Sequence, residues 1–262
     1  MEDIKIAILR MEGTNNEEEV YFAFKNLGVS PEFVHIKELE SKKKSLENFQ
    51  GIFIPGGFSA GDYVRAGVIF AQRLIKSSWS EIRRFTEEKK PLIGTCNGFQ
   101  ILSEMGLLPD INGKAEKSMV LSVNKSGKFE CRTTYIKFSN KNPILSNGIS
   151  TGAILQAPVA HKEGQVMFKD SNILDEIIQN NQIVFQYTDA QGKFGEYPWN
   201  PNGSINGIAG LSNREGNIIG MMPHPERAFD IFNMSGRERE GKISTGKLFF
   251  ASIIEYIKSH AI

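Results

Sequence analysis

The first half of the chain alternates short apolar runs with longer stretches in which apolar residues recur at helical spacing. Four short runs are typical of buried parallel strands, and they cover residues 5–9, 33–36, 51–54 and 91–95. The intervening stretches predict helices, and they cover residues 17–27, 41–48 and 69–89. Thr14, three residues before Glu17, predicts a capping box for the first helix. Strands that alternate with helices predict a mostly parallel sheet with helices on both faces.

After about residue 112 the pattern changes to strand-like segments with few helices between them. Those segments are 118–123, 131–138, 165–168 and 183–187, and a helix is predicted at 173–179. We expect them to add antiparallel strands to the edge of the same sheet. A buried strand at 217–222 and an amphipathic helix at 245–258 follow. Because no repeat or linker interrupts this order, we predict one domain over residues 1–262.

Composition excludes several classes of protein. The 262 residues are 40% hydrophobic and 23% charged, with a formal net charge of +1, as in an ordinary soluble globule. That charge gives no drive towards nucleic acid, and no apolar run reaches the roughly 18 residues of a membrane span. The acidic N-terminus does not resemble a signal peptide, and two cysteines are too few for a disulfide scaffold. We expect a cytoplasmic protein without a metal site, a nucleic-acid partner or a membrane partner.

A short motif makes Cys96 the candidate nucleophile. Residues 94–100 read GTCNGFQ, between an apolar run and an apolar segment. Cysteine between small residues is typical of a nucleophile elbow, a strained strand-to-helix turn that a flanking Cβ would crowd. A cysteine at a helix N-terminus is also favoured as the thiolate, which is the reactive form. A buried structural cysteine beside two incidental glycines is the alternative.

Among four histidines, His224 is the candidate base. It stands in the run MPHPE, in which prolines favour an extended backbone, so that residues two apart point the same way. The Glu226 carboxylate would then reach Nδ1 of His224 and leave Nε2 facing the thiol. A surface turn at a strand end is the alternative. His35 is predicted to be packed within a strand or at its edge, and His260 to interact with the dipole at its helix C-terminus.

Thiolate attack on a carbonyl also requires donors for the developing oxyanion. The run PGGF at 55–58 follows a strand, and glycine leaves its N–H approachable. The amides of Gly57 and Asn97 are the predicted oxyanion donors. A plain tight turn is the competing explanation for the two glycines.

Together, the runs PGG at 55–57, GTCNGFQ at 94–100 and PHPE at 223–226 resemble the class I, triad-type glutamine amidotransferases. The resemblance implies an α/β, flavodoxin-like fold with a mostly parallel sheet, helices on both faces and added antiparallel strands. It implies that Cys96, deprotonated by His224, attacks the carboxamide of L-glutamine and that Glu226 holds the His224 ring. The products would be ammonia and a glutamyl thioester, which water hydrolyses. Gln100 and the loop around His161 are implied to hold the amino-acid end of the substrate.

Further segments are similar to one branch of that family, the glutaminase subunits of phosphoribosylformylglycinamidine synthase in purine biosynthesis. They are FSAGDYVRAG at 58–67, GKFECR at 127–132, PVAHKEG at 158–164, and NPNGS at 200–204 leading to MMPHPER at 221–227. This likeness implies two partners: a synthetase subunit that converts formylglycinamide ribonucleotide to formylglycinamidine ribonucleotide, and a small accessory subunit. ATP and Mg are expected on the synthetase, with no cofactor on this chain, which has no P-loop sequence. Ala60, Lys162 and the stretch 109–117 depart from the branch's pattern.

Two alternatives remain open from the residues. One is a stand-alone γ-glutamyl hydrolase or peptidase on the same scaffold, which would turn over without a partner. The other is a non-catalytic regulatory subunit, against which the intact Cys96, His224 and Glu226 argue.

Overall fold

The computed structural model describes residues 4–233 and 244–260. The strands in those ranges are β1 Lys5–Arg10, β2 Ser30–His35, β3 Gly51–Ile54, β4 Leu92–Thr95, β5 Met119–Val123, β6 Glu130–Phe138, β7 Ile154–His161, β8 Glu163–Phe168, β9 Ile183–Thr188, β10 Ile208–Ser212 and β11 Ile218–Met221. The α-helices are α1 Glu17–Asn26, α2 Ile36–Glu40, α3 Val68–Glu87, α4 Asn97–Glu104, α5 Asn172–Gln179 and α6 Thr245–His260.

Nine of the strands form one mixed sheet in the order β2-β1-β3-β4-β11-β10-β9-β6-β7. Pairing is parallel from β2 to β11 and antiparallel from β11 to β7. The predicted α/β fold, with a parallel core and added antiparallel strands, is therefore confirmed. The expectation that segments 118–123 and 165–168 join this sheet is wrong, since β5 and β8 pair only with each other in the described chain. β5 is held instead beside α4, where the Ser103 hydroxyl donates to the Met119 carbonyl at 3.0 Å.

Helices cover both faces of the parallel strands, as predicted. Successive side chains of a strand point to opposite faces, so Ala7 and Leu9 of β1 enter one core cluster, and Ile6 and Ile8 enter the other. α3 and α4 pack on the first cluster, whereas α1 and α6 pack on the second. Phe250 of α6 contributes aromatic contacts to that second face. The parallel part of the sheet therefore lies between two layers of helices.

Two local expectations about helix starts are wrong. The charged segment 41–48 is not helical; α2 occupies the five residues before it, because His35 and Glu38 form a reciprocal capping box at its start. The capping box predicted at Thr14 does not form either. The Thr14 hydroxyl oxygen accepts from the Met11 amide at 3.1 Å, and α1 begins after Asn16. In both places a polar side chain bonds to a nearby backbone group other than the predicted one.

Two strands, β7 and β10, were not predicted. β7 contains Pro158, which argues against a strand in a sheet interior, but β7 lies at the sheet edge, where proline is tolerated. β10 is short, includes Gly210 and has an irregular register with β9. No helix among residues 4–233 and 244–260 is long and apolar enough to cross a membrane.

Candidate active site

Cys96 lies in a sharp turn between β4 and α4. Its φ is +49°, a left-handed conformation that is rare and strained outside glycine. The strain is held by surrounding contacts: the Cys96 amide donates to the Met221 carbonyl at 2.8 Å. A Cβ on Gly98 would lie 1.9 Å from the Ile54 carbonyl oxygen, so glycine is required where α4 meets β3. The turn therefore holds the thiol at the carboxyl edge of the parallel strands.

The backbone of Gly56 brings Cys96 and His224 together. A Cβ on Gly56 would lie 2.6 Å from Cε1 of His224 and 3.3 Å from Cβ of Cys96, so both side chains flank this residue. β7 supplies the other contacts: the His224 amide donates to the Pro158 carbonyl at 2.8 Å, and the Cys96 thiol lies 3.7 Å from the Ala160 carbonyl. The parallel core and the antiparallel edge thus meet at the cysteine.

His224 and Glu226 form a buried pair. Nδ1 of His224 lies 2.5 Å from Oε1 of Glu226, while Nε2 has no hydrogen-bond partner within the described chain. Burial acts to lower the pKa of His224, but the Glu226 carboxylate and then Cys96 outweigh it and raise that pKa. The ring is therefore held as the imidazolium, with its free nitrogen available to a substrate.

The backbone that joins the pair differs from the extended chain predicted for it. His224 has φ −104° and ψ 90°, and a short 3₁₀ helix, Pro225–Ala228, begins at the next residue. Proline fixes φ near the helical value, which favours it in a first helical turn. The carboxylate reaches Nδ1 within this turn.

The amides of Gly57 and Asn97 are both available. Gly57 has φ +145° and packs against the backbone of residues 13–15, where a Cβ would lie 2.7 Å from the Asn15 nitrogen. Asn97 is the first residue of α4, so its N–H has no acceptor within the helix. Within residues 4–233 and 244–260, neither amide nitrogen has a hydrogen-bond acceptor.

Gln100 lies in a hydrogen-bonded network beside the turn. Its Oε1 accepts from the Asn97 side chain at 2.9 Å, and its Nε2 donates to the Glu163 carbonyl at 2.6 Å. The Asn97 side-chain oxygen in turn accepts from the Ser59 amide at 3.4 Å. These contacts fix the start of α4 relative to β8 and to the segment after β3.

His161 is the last residue of β7, not part of a loop as the sequence suggested. Its Nδ1 lies 3.0 Å from Oδ1 of Asn124, whose amide group donates to the carbonyls of Lys128 and His161. Nδ1 therefore carries the proton, and Nε2 is an acceptor, buried and without a partner in the described chain. Burial, and then the charge of His224, lower the pKa of His161 to about 3. The ring is neutral.

Two further side chains line this region and were not singled out from the sequence. Tyr187 of β9 is fully buried, and burial followed by the charge of Cys96 raises its pKa. Arg132 of β6 influences the pKa values of both His161 and Tyr187. The sequence alone carries no signal for either residue, because the register of β6 and β9 decides where each side chain lies. No group of three or more His, Cys, Asp or Glu side chains in the described ranges is arranged to hold a metal ion.

The family model for the CobB/CobQ-like glutamine amidotransferase domain matches residues 3–257. The chain belongs to this glutamine amidotransferase family. The amidotransferase is 50% identical to a phosphoribosylformylglycinamidine synthase subunit PurQ of Picrophilus torridus, over 95% of this chain and 97% of that protein. It is 43% identical to the PurQ subunit of Archaeoglobus fulgidus, over 98% of each chain. A solved structure of PurLQS from Thermotoga maritima contains a chain with 31% identity and a TM-score of 0.74, covering 97% of this amidotransferase and 99% of that chain.

Proposed function

We propose that this chain is the glutaminase subunit of phosphoribosylformylglycinamidine synthase. It hydrolyses L-glutamine to glutamate and ammonia, and it delivers the ammonia to a synthetase subunit that makes formylglycinamidine ribonucleotide. One observation carries the proposal: Cys96, in its strained turn, and His224 of the buried His224–Glu226 pair both lie against the backbone of Gly56. Full-length similarity to PurQ subunits supports the choice of this reaction among those that use a glutaminase.

In the first step Nε2 of His224 takes the thiol proton of Cys96, a transfer that the raised pKa of His224 favours. Sγ bonds to the carboxamide carbon, and the carbonyl π electrons move to oxygen. The Gly57 and Asn97 amides donate to that oxyanion. Gln100 and His161 hold the amino-acid end of glutamine.

In the second step Nε2–H of His224 gives its proton to the amide nitrogen as the C–N bond breaks. Ammonia leaves, and a glutamyl thioester remains on Cys96. His224, now neutral, takes a proton from water, whose oxygen attacks the thioester. The C–Sγ bond then breaks, the γ-carboxyl group loses its proton to solvent, and glutamate departs. The thiolate–imidazolium pair remains, with Glu226 holding the ring throughout.

The partners belong to the same proposal. The synthetase subunit binds ATP and Mg, and a small accessory subunit completes the complex; the solved PurLQS assembly supports this composition. We place the protein in the cytoplasm, where cysteines stay reduced, and describe residues 1–262 as one domain. Support for one domain comes from the nine-stranded sheet, whose strands contribute side chains to both core clusters.

The test is a glutaminase and formylglycinamidine ribonucleotide assay of the complex co-purified from co-expressed subunits. Cys96→Ala should lower both activities by at least about 10³-fold, because no nucleophile remains. Cys131→Ala is the matched control, since Cys131 is exposed and free, and it should keep full activity. Absence of glutaminase activity from the wild-type complex would sink the proposal. Full turnover of γ-glutamyl peptides by the isolated chain would favour the stand-alone hydrolase instead.

A further inference from the structure

Arg132 lies on the wall of the Cys96 site. In the antiparallel register of β6 and β7, Glu130 is opposite His161 and Arg132 is opposite Val159. Residues directly opposite one another share a face, and burial along β6 shows that the even-numbered positions point inward. Arg132 is therefore on the same face as His161, one strand from the Ala160 carbonyl that contacts the thiol.

The guanidinium of Arg132 is fixed on two sides. Its Nε donates to Oε2 of Glu130 at 3.1 Å, and Glu130 is itself buried. Its central carbon lies 5.1 Å from the centroid of the Tyr197 ring, so the aromatic face holds the plane of the group. These two contacts orient the cation, and neither uses the far end of the guanidinium, where Nη2 lies.

That far end has an unsatisfied donor. Nη2 of Arg132 is buried and has no hydrogen-bond partner within residues 4–233 and 244–260. A buried donor without a partner is costly, and native structures rarely leave one unless a ligand or water completes it. Arginine is suited to planar anions, and carboxylate is the group whose oxygens match its fork.

Free glutamine supplies such a carboxylate, whereas the same γ-carboxamide within a peptide does not. We propose that Arg132 binds the α-carboxylate of L-glutamine through Nη2 and so makes the site selective for the free amino acid. This inference rests on the proposed glutaminase function. Arg132 is then a specificity-determining residue that anchors the substrate end remote from the thiol.

The test compares Arg132→Gln with the wild type in the assembled complex on two substrates, L-glutamine and L-glutamine α-amide. Both carry the γ-carboxamide, but only the first carries the α-carboxylate. Loss of one charge-assisted contact should raise KM for glutamine by about 10- to 100-fold and change kcat by less than about threefold. KM for the α-amide should change by less than about threefold. Arg132→Lys, which keeps the charge but not the fork, should give an intermediate KM for glutamine.

Lys137→Gln is the matched control. Lys137 is also a cation on β6 and lies 5.4 Å from the ring of Phe194, at an odd-numbered position. It should leave both KM values unchanged. Equal losses on the two substrates for Arg132→Gln would indicate a structural role, and an unchanged KM for glutamine would overturn the inference. Weakened assembly in size-exclusion chromatography without a KM effect would overturn it too, in favour of a carboxylate on a partner subunit.

A binding measurement separates this inference from the proposed function. Calorimetry on the Cys96→Ala complex, which does not turn over, should show glutamine binding weakened by the same factor when Arg132→Gln is added. If the wild-type complex hydrolyses no glutamine, the proposed function fails on its own. If Arg132→Gln leaves the affinity for glutamine unchanged, the inference fails and the proposed function is unaffected.

Discussion

Two strand ends at the site, one after β11 and one at β7, each present a buried histidine, and they give it different charge states: His224 is positively charged and His161 is neutral. His224 is 1% exposed and His161 is 3% exposed, so burial lowers the pKa of both. The difference lies at Nδ1, which faces the Glu226 carboxylate in one ring and the Asn124 amide oxygen in the other. A full negative charge reverses the effect of burial, and a neutral dipole does not.

The two rings can therefore take part in different chemistry. His224 can carry a proton to a leaving group because its imidazolium is stabilised. His161 stays neutral and can only accept a hydrogen bond at Nε2. Its neutrality also spares the site a second positive charge beside His224.

Replacing each histidine by glutamine should give the largest contrast. We expect His224→Gln to lower kcat for glutamine hydrolysis on the order of 10³-fold, because it removes the proton donor. We expect His161→Gln to keep kcat within about tenfold, because His161 transfers no proton and a glutamine oxygen can still accept a hydrogen bond. We expect it to raise KM, because His161 holds the amino-acid end of the substrate. Steady-state assays of the assembled complex measure both parameters. Equal kcat losses would mean that the two rings do not differ in role.

Removing the Glu226 carboxylate should reduce the difference between the pKa values of His224 and His161. Glu226 raises the pKa of His224, so Glu226→Gln lowers it, and the imidazolium is then lost at a lower pH. The alkaline limb of the kcat/KM profile should move to lower pH, and kcat should fall on the order of 10²-fold. Glu255→Gln, an exposed carboxylate paired with Lys258, is the control and should leave the profile in place. An unmoved alkaline limb for Glu226→Gln would assign the high pKa to another cause.

The smallest effect is expected at Asn124, the hydrogen-bond partner of the neutral His161 ring. Asn124→Ala removes the partner of His161 Nδ1 and leaves two backbone carbonyls without their donor. The free energy of unfolding should fall by about 1–3 kcal/mol, measured by urea titration. Asn112→Ala, at an asparagine whose hydrogen bonds are all local and exposed, should change it by no more than about 0.5 kcal/mol. If Asn124→Ala unfolded no more easily than this control, the amide would not be what holds His161.

Much of the parallel core was predictable, because each strand there is a short apolar run beside a helical pattern. The turn at Cys96 was predictable too, since glycines at 94 and 98 indicate a close approach of backbones. β7 and β10 were not predicted, because a proline at the sheet edge and a glycine in an irregular strand both weaken the local pattern. The separate β5–β8 pair depends on tertiary packing that alternation does not encode.

The candidate site divides in the same way. Cys96, His224 and Glu226 stand in short motifs with a chemical signature, so sequence reasoning could select them. Arg132 and Tyr187 are placed by the register of β6 and β9. A lone arginine or tyrosine in a strand carries no signal until that register is known.

The pairing of β4 with β11 has a consequence for how the protein is made. Cys96 is translated early, yet its amide bonds to Met221 and its strand is flanked by β11, the last strand of the described chain to leave the ribosome. A nascent chain therefore carries the thiol long before it carries the site. Reactivity towards glutamine can arise only after β11 and the His224–Glu226 pair have been synthesised, so translation products that stop before them release no ammonia.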